Sequence, residues 1–353
     1  MPPPENAPRP NVTLSLSKGE PRRRRWLGIA ALIVVLALLP AFVKSDYVLT
    51  LLDLAGIYAI AVMGLGILLG FAGQMSLAQA AFLGIGAYTS GWLTTHLGWS
   101  VWAAMPCAVL LSALVGLAVG YPCLRLSGHY LALATIGFGI ITQLVLINWK
   151  DVTNGSDGMT GIPPPQLGPW MLDTYGRYYY LVLAMVLLCA YVAWRIKSTR
   201  AGRALHAIRE NEIAARATGI DATRYKIVAF VLAGAYAGLA GSLLAHDIKF
   251  ISPDSYSFDQ SVVFLVMLIL GGSSSISGAI IGALLLTMLP EVLRPLKSSY
   301  IMVYGAAVIA MIVFMPQGLV GLFAALRARF EHRPPPADAA PAGLVGEAEA
   351  APA

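Results

Sequence analysis

Apolar stretches of about 20 residues recur along most of this chain, and they constrain its fold more than any other sequence feature. A helix of about that length crosses the hydrocarbon core of a bilayer. The 353 residues are 58% hydrophobic and 12% charged, with a mean hydropathy of +0.71, whereas soluble domains are about 45–50% apolar. Because the stretches lack the alternating pattern of a membrane β-barrel, the sequence predicts an all-α, polytopic transmembrane bundle.

We predict about ten spans, at residues 26–43, 47–70, 76–96, 101–120, 129–148, 178–196, 225–247, 260–272, 276–290 and 299–322. The two runs after Gln260 are short, so broken or re-entrant segments are expected there. The first run has no convincing small-residue cleavage site, which favours an uncleaved span over a signal peptide. Residues 1–25 and 326–353 are rich in proline and small or polar residues and are predicted to be disordered tails around one membrane domain, residues 26–325.

Basic residues set the expected orientation, because Lys and Arg accumulate in cytoplasmic loops. Four arginines, Arg22 to Arg25, precede the first span, and three more, Arg327, Arg329 and Arg333, follow the last. The segment 197–224 carries six basic residues: Lys197, Arg200, Arg203, Arg209, Arg216 and Arg224. In contrast, the loop 150–177 is basic only at its two ends. With ten spans, both termini and segment 197–224 are therefore placed in the cytoplasm, and the loop 150–177 is placed outside.

The polar segment from Gly202 to Lys226 interrupts this apolar chain with a charge every few residues. Helix-forming residues predict an amphipathic helix over 203–217, which Gly219 ends, and Asp221 is placed to cap the next span. On the pattern alone, two interpretations are equally good. The helix lies on anionic lipid headgroups, or it is a docking helix for a cytoplasmic partner that moves the membrane domain.

Two Gly/Ser interruptions, residues 70–76 and 271–278, divide apolar runs at the end of the bundle that is predicted to be cytoplasmic. Irregular backbone at membrane depth must be buried in protein or line a wet cavity. The first interruption is either a tight turn between spans or a broken helix that presents Gly73, Gln74 and Ser76 to a substrate. Both interpretations stay open at this stage.

Ionisable residues inside the spans are rare, and Asp53 is the clearest case. Such a carboxylate is by default a candidate for a transport pathway, although a hydrogen bond to a neighbour or a place near the interface explains it equally well. Tyr88 is a second candidate for the pathway, with the alternative that its ring is an interfacial anchor. In the loop 151–177, the pairs Asn154-Gly155 and Asp157-Gly158 predict defined turns.

Several motifs resemble the permeases of branched-chain amino-acid ABC importers, the LivH/LivM family. They are Gly70-Phe71-Ala72-Gly73-Gln74-Met75-Ser76-Leu77, the run Ala80 to Tyr88, the loop Thr153 to Pro163, and the whole stretch Arg209 to Ala245. Within that stretch, Glu212-Ile213-Ala214-Ala215 and Gly219 resemble the EAA loop of importer permeases, although Ile213 stands where the family has Glu. The resemblance covers roughly residues 26–325.

The resemblance implies a transport subunit of a bacterial inner-membrane importer. Its implied partners are a paralogous permease, two ATPase subunits that bind ATP and Mg, and a periplasmic substrate-binding protein. It implies an ATPase-coupling helix that contains Arg209, Glu212, Ala214, Ala215 and Gly219. It also implies that the binding protein docks on the loop of Asn154, Ser156 and Asp157. Candidates for the substrate pathway are Gly73, Gln74, Ser76, Tyr88 and Asp53.

The chain itself is predicted to carry no catalytic, nucleotide or metal site, because the sequence has no G-x-x-x-x-G-K-[ST] loop and no His or Cys at metal-ligand spacing. The net charge of +6 is spread over membrane-flanking loops, which argues against nucleic acid and for contact with lipid. Two alternatives remain. A urea or short-chain amide importer shares much of the motif pattern, and a gradient-driven transporter would place more acidic residues in its spans.

Overall fold

Eight long helices run alternately in opposite directions in the part of the chain that the structure describes. That structure is a computed structural model, and it describes residues 45–123, 128–167, 170–171 and 175–294, with isolated positions between 38 and 40 and between 302 and 321. The helices are α1 (Asp46–Leu65), α2 (Gln79–His96), α3 (Val101–Cys123), α4 (His129–Asn148), α6 (Tyr175–Ser198), α9 (Ala222–Ile248), α10 (Phe258–Gly271) and α11 (Ile276–Leu293). Three shorter helices lie between them: α5 (Lys150–Thr153), α7 (Arg200–Glu210) and α8 (Glu212–Ala217).

Six of the eight long helices are long and apolar enough to cross a membrane: α1, with its continuation to Phe71, and α3, α4, α6, α9 and α11. Helix α10 has 14 residues, and α2 is also outside this group. The prediction of an all-α bundle with several membrane-spanning helices is therefore confirmed for the described residues. The predicted first span 26–43, the predicted last span 299–322 and both predicted tails fall outside the continuous described ranges.

Helix α2 begins at Gln79, three residues later than the predicted span 76–96. Local hydrogen bonds explain the difference. The Ser76 hydroxyl oxygen accepts from the Ala78 amide at 3.3 Å, and the Leu77 amide donates to the Thr135 hydroxyl at 3.0 Å. These side chains offer the backbone an alternative to helical hydrogen bonds, so residues 76–78 stay outside the helix.

Helix α9 lies at the centre of the bundle and packs on α1, α2 and α3. Lipid tails are as apolar as the side chains, so helices in a membrane associate through close packing, which small residues permit. At Gly241, an added Cβ would lie 1.9 Å from the Leu83 carbonyl oxygen of α2. At Gly234, it would lie 2.5 Å from the Ser112 carbonyl oxygen of α3. The glycines of α9 therefore allow backbone-to-backbone contact with two neighbouring helices.

The two ends of the bundle carry different connections. The end at which α7 and α8 lie is called the basic end, and it also holds the connections α1–α2 and α10–α11. The opposite end holds two antiparallel two-stranded ladders and two short 3-10 turns, Gly155–Asp157 and Pro253–Tyr256. Strand β1 (Met159–Thr160) pairs with β4 (Phe250–Ile251), and β2 (Gln166–Leu167) pairs with β3 (Trp170–Met171). The first ladder joins the loop after α5 to the chain that leaves α9.

Candidate functional site

The polar segment between α6 and α9 forms a compact unit at the basic end. The apolar side chains of its helices point inward: Leu205 and Ile208 of α7 and Ala215 of α8 are each less than 5% exposed. Ile208 and Ala215 pack with Ala222, the first residue of α9. The predicted amphipathic character of this segment is therefore confirmed, with Leu205, Ile208 and Ala215 on its buried face.

The segment is two helices, not the single predicted helix over 203–217. Asn211 has φ −157° and ψ 106°, an extended conformation that ends α7, and its side-chain oxygen accepts from the Ala214 amide at 3.0 Å. Asparagine is among the best N-cap residues, and its short amide competes with helical backbone bonding. The single-helix prediction was wrong because it treated Asn211 as one polar residue among helix formers.

Glu212, the first residue of α8, holds this short helix to α9. Its Oε2 accepts from Lys226 Nζ at 2.6 Å, and its Oε1 accepts from Arg216 Nη2 at 2.8 Å. The Lys226 side chain is 5% exposed, whereas that of Glu212 is 32% exposed. Burial raises the pKa of the Glu212 carboxyl, but the hydrogen bonds and charges of Lys226 and then Arg216 outweigh it, so the pKa is lowered overall.

The end of α8 follows the prediction closely. Gly219 has φ +83°, a left-handed conformation that only glycine adopts without strain, and its amide donates to the Arg216 carbonyl at 3.0 Å. Asp221 then caps α9, because its Oδ1 accepts from the Arg224 amide at 3.2 Å. Only three residues, Thr218 to Ile220, separate α8 from the Asp221 cap, so the connection from α8 to α9 is short.

Arg209 connects α7 to the end of α1. Helix α1 continues as a π-helical turn over Gly66–Phe71, and Arg209 Nη1 donates to the Gly70 carbonyl oxygen there. Gly73 follows with φ +69°, and an added Cβ would lie 3.0 Å from Arg209 Cγ. The absence of a side chain at Gly73 therefore leaves room for Arg209 to reach the Gly70 carbonyl. The sequence pattern did not reveal this contact.

The second interruption meets the first at the same place. An added Cβ on Gly70 would lie 1.9 Å from the Ser273 carbonyl oxygen, which confirms that both interruptions lie at one end of the bundle. Lys197, near the end of α6, donates from Nζ to the Ser274 carbonyl oxygen at 2.8 Å and lies 5.5 Å from the centre of the Phe71 ring. Arg209 of the polar segment and Lys197 at the end of α6 thus contact the connections α1–α2 and α10–α11 as two neighbouring cations.

His206 of α7 completes this cluster. Its ring lies 5.3 Å from the Phe71 ring. Burial, followed by the nearby charges of Lys197 and Arg209, lowers the pKa of His206, so the neutral imidazole is the form that the cluster favours. No sequence pattern marked this histidine, because its neighbours come from different helices.

The first interruption is a connection between α1 and α2. Gln74 Nε2 donates to the Ala72 carbonyl oxygen at 3.1 Å, and the Ser76 hydroxyl is used by the Ala78 amide. These contacts stabilise the turn itself, in line with the interpretation of residues 70–76 as a turn between spans. A cavity of about 10 Å³ beside the turn is lined by Gly66, Phe71 and Ser273 among others, and it has room for about one water molecule.

The other predicted pathway residues lie apart from that turn. Asp53 is wholly buried near the opposite end of α1, about 25 Å along the helix axis from Phe71. Neither of its carboxylate oxygens has a hydrogen-bond partner among the described residues. Tyr88 of α2 is 5% exposed, with its ring centre 6.0 Å from that of Tyr256. Gly73, Gln74 and Ser76 thus lie together, whereas Asp53 and Tyr88 do not join them, and a transport role for all five stays a prediction.

The loop after α5 has the defined turns that were predicted. Asn154 has φ +63°, and its Nδ2 donates to the Gly158 carbonyl oxygen at 2.8 Å across the 3-10 turn. The side chains of Asn154, Ser156 and Asp157 are all exposed, while Gly155 and Gly158 are buried beneath them. The turn therefore presents three polar side chains on a fixed backbone at the opposite end.

Comparison with known proteins gives one family and several relatives. The family described as "Branched-chain amino acid transport system / permease component" matches residues 47–316. The high-affinity branched-chain amino acid transport system permease protein LivM of Salmonella typhimurium is 35% identical over 322 residues, which is 84% of this chain and 75% of that protein. LivM of Escherichia coli is 34% identical over 313 residues, which is 82% of this chain and 73% of that protein.

A more distant relative is the autoinducer 2 import system permease protein LsrC of Escherichia coli, which is 28% identical over 340 residues, 90% of this chain and 95% of that protein. No solved structure matches the chain.

Proposed function

The chain belongs to the branched-chain amino acid transport permease family, and on that premise we propose that it is the membrane-spanning subunit of an ATP-driven importer of branched-chain amino acids. The observation that carries the proposal is the unit of α7 and α8 at the basic end. This unit is fixed to α9 by Glu212–Lys226 and to the end of α1 by Arg209–Gly70, and Lys197 in the last turn of α6, just before the unit, holds the connection α10–α11 through Ser274. A force on the unit therefore reaches α9 and α1 directly, and it reaches the connection α10–α11 through the end of α6.

In the proposed mechanism, two separate ATPase subunits close on ATP and press on α7 and α8. Exposed groups of α8 are available for that contact, and Ile213 is 82% exposed although it is apolar. The residues assigned to coupling are Arg209, Glu212, Ala214, Ala215 and Gly219. Tilting of α6 and α9, the helices on either side of the unit, then changes the side to which the pathway opens. The nucleotide and its Mg belong to the ATPases, and this chain acts as a transport component.

The proposed topology has about ten spans in the bacterial inner membrane, with both termini in the cytoplasm. It is supported by the alternation of the eight long helices and by the basic residues around α7 and α8. The basic end then faces the cytoplasm, and the turn of Asn154, Ser156 and Asp157 faces the periplasm, where a substrate-binding protein docks. A paralogous permease subunit completes the pathway, and residues 26–325 form the membrane domain.

The pathway is proposed to pass the first interruption. Gly73, Gln74 and Ser76 supply polar groups there, and Tyr88 and Asp53 lie farther along α2 and α1. Alanine at both Gln74 and Ser76 tests this assignment, because unchanged leucine transport in that double variant would remove these residues from the pathway. The turn hydrogen bonds of both side chains require a check that the variant still assembles with its partners.

Uptake by proteoliposomes tests the function itself. The complex of this chain, its partner permease, two ATPases and the binding protein is supplied with radiolabelled leucine or urea, with ATP or with a non-hydrolysable analogue inside. We expect ATP-dependent uptake of leucine. Uptake of urea alone would keep the mechanism and change the substrate. Leucine uptake without ATP, driven by an ion gradient, would contradict the importer assignment.

A further inference from the structure

A buried chain of hydrogen bonds joins the loop at the opposite end to helices α2 and α9. His246, near the end of α9, is 1% exposed. Its Nδ1 lies 2.7 Å from the Pro163 carbonyl oxygen and its Nε2 lies 2.8 Å from the Ser90 hydroxyl oxygen. The Ser242 hydroxyl donates to the same Ser90 oxygen at 2.8 Å.

The chemistry of these groups fixes the direction of each hydrogen bond. The Pro163 carbonyl only accepts, so Nδ1 of His246 carries the proton. In the neutral ring Nε2 is then an acceptor, and Ser90 donates to it. The Ser90 oxygen is left free to accept from Ser242. A neutral histidine therefore satisfies all three hydrogen bonds. Through its two ring nitrogens, His246 joins the loop at Pro163 to α2 at Ser90.

The backbone around Pro163 is fixed to α9 at a second place. Strand β1 pairs with β4, which begins two residues after the end of α9. Gly158 lies so close to this ladder that an added Cβ would be 2.3 Å from the Ile251 carbonyl oxygen, and its φ is +73°. The loop segment 158–163 is therefore attached to α9 by the ladder at one end and by His246 at the other.

Helix α9 is continuous between its two sets of contacts. Lys226 in its second turn pairs with Glu212 of the unit of α7 and α8, here called the coupling unit, and His246 in its last turn binds the loop at Pro163. His246 lies twenty positions after Lys226, which corresponds to about 30 Å of helix, the thickness of the hydrocarbon core. Among the described residues, the proposed coupling helices and the proposed docking loop thus both contact α9.

We infer that His246 is a positioning residue that holds the turn of Asn154, Ser156 and Asp157 in place for the substrate-binding protein and connects its docking to α9. The inference rests on the proposed function. Without the bond to Pro163, the turn keeps its own hydrogen bonds and the β1–β4 ladder, but the loop is held at one place instead of two, so its position relative to α9 is less fixed. The binding protein then has to order the loop when it docks, and its affinity falls.

Two substitutions separate the two bonds of the histidine. Asparagine places an amide N–H near the position of Nδ1 and retains donation to Pro163, whereas glutamine reaches the position of Nε2 and loses it. A leucine-loaded binding protein is titrated onto the complex in nanodiscs, and the concentration for half-maximal ATPase stimulation is measured. His246→Gln is expected to raise that concentration about tenfold, the effect of losing one buried hydrogen bond. His246→Asn and the matched buried control Ser242→Ala are expected to stay within about threefold.

Hydrogen exchange at Met159 to Ile162 gives a readout that does not depend on the ATPases, and it should speed up in His246→Gln more than in His246→Asn. If the glutamine variant fails to assemble, Gly158→Ala reaches the same loop from the other side and should raise the half-maximal concentration in the same way. Equal values in the wild type and His246→Gln, or unchanged exchange in the loop, would overturn the inference. A wild-type complex that no binding protein stimulates would instead contradict the proposed function.

Discussion

The ion pair of Glu212 and Lys226 gives the sharpest test of how the coupling unit is held. Glu212→Gln keeps the shape of the side chain and removes its charge, so the ammonium group of Lys226, 5% exposed, loses its counter-ion. Removal of one partner costs about 3–5 kcal/mol when a pair is fully buried and about 0–1 kcal/mol when it is exposed. Because Glu212 is 32% exposed, we expect an intermediate loss of about 1–2 kcal/mol.

The loss should be local, because Lys226 is the residue that holds α8 to α9 through Glu212. A cost of about 1–2 kcal/mol corresponds to roughly 5–30-fold more frequent opening of α8. Hydrogen exchange of the amides from Ala214 to Gly219, measured by mass spectrometry on the complex in nanodiscs, reports this opening. The matched control is Glu212→Gln with Lys226→Met, which removes the buried charge and should return exchange to within about threefold of the wild type.

The increase in hydrogen exchange caused by Glu212→Gln should not depend on pH near neutrality. The pKa of Glu212 is lowered, so its stabilising contribution is fully present above the ordinary carboxyl value of about 4.3 and is lost as pH falls through the folded-state pKa. Exchange in the single variant should therefore exceed that of the wild type equally at pH 7.5 and pH 6. Unchanged exchange in Glu212→Gln, or a double variant as open as the single one, would refute the reasoning.

Three further predictions concern the basic end. Gly70→Ala places a Cβ 1.9 Å from the Ser273 carbonyl oxygen and should lower the thermal midpoint by several degrees, whereas the matched Gly137→Ala, with no atom within 4 Å, should leave it unchanged or slightly higher. Ile213→Asp should leave that midpoint unchanged, because the side chain is 82% exposed, but weaken ATPase-subunit binding at least tenfold in a pull-down titration. The pKa of His206 is lowered, so the folded protein loses stability as pH falls below about 6.5, where the histidine of the unfolded chain takes up a proton. His206→Asn should therefore reduce the change of the thermal midpoint between pH 7.5 and pH 5.5.

The apolar stretches predicted the helices well because membrane helices need only length and hydropathy. Six of the eight predicted spans on described residues are long, apolar helices, and their ends mostly fall within a few residues of the prediction. The later start of α2 at Gln79 could not be predicted, because it depends on Thr135 of another helix. The order of the long helices along the chain followed the order of the apolar stretches.

The coupling unit was predictable in composition and not in its contacts. Gly219 and Asp221 were recognised because a helix stop and an N-cap are local signals. Asn211 is also a local signal, and its cap within a helix-forming run was missed. The contact of Arg209 with the Gly70 carbonyl joins residues 139 positions apart, and no spacing rule in one sequence reveals such a pair. The same holds for His246 and Pro163, which are 83 positions apart.

The most direct test of the central claim measures leucine uptake and ATP hydrolysis together in the reconstituted complex. Wild-type protein is compared with a variant that carries Ala215→Glu and Gly219→Pro, which buries a charge in α8 and removes its left-handed stop. The account predicts that ATP drives leucine uptake in the wild type, and that the assembled variant loses uptake while its ATPases still hydrolyse ATP. Equal leucine transported per ATP in the two complexes would contradict it, because α7 and α8 would then not be the elements that transmit the work of the ATPases.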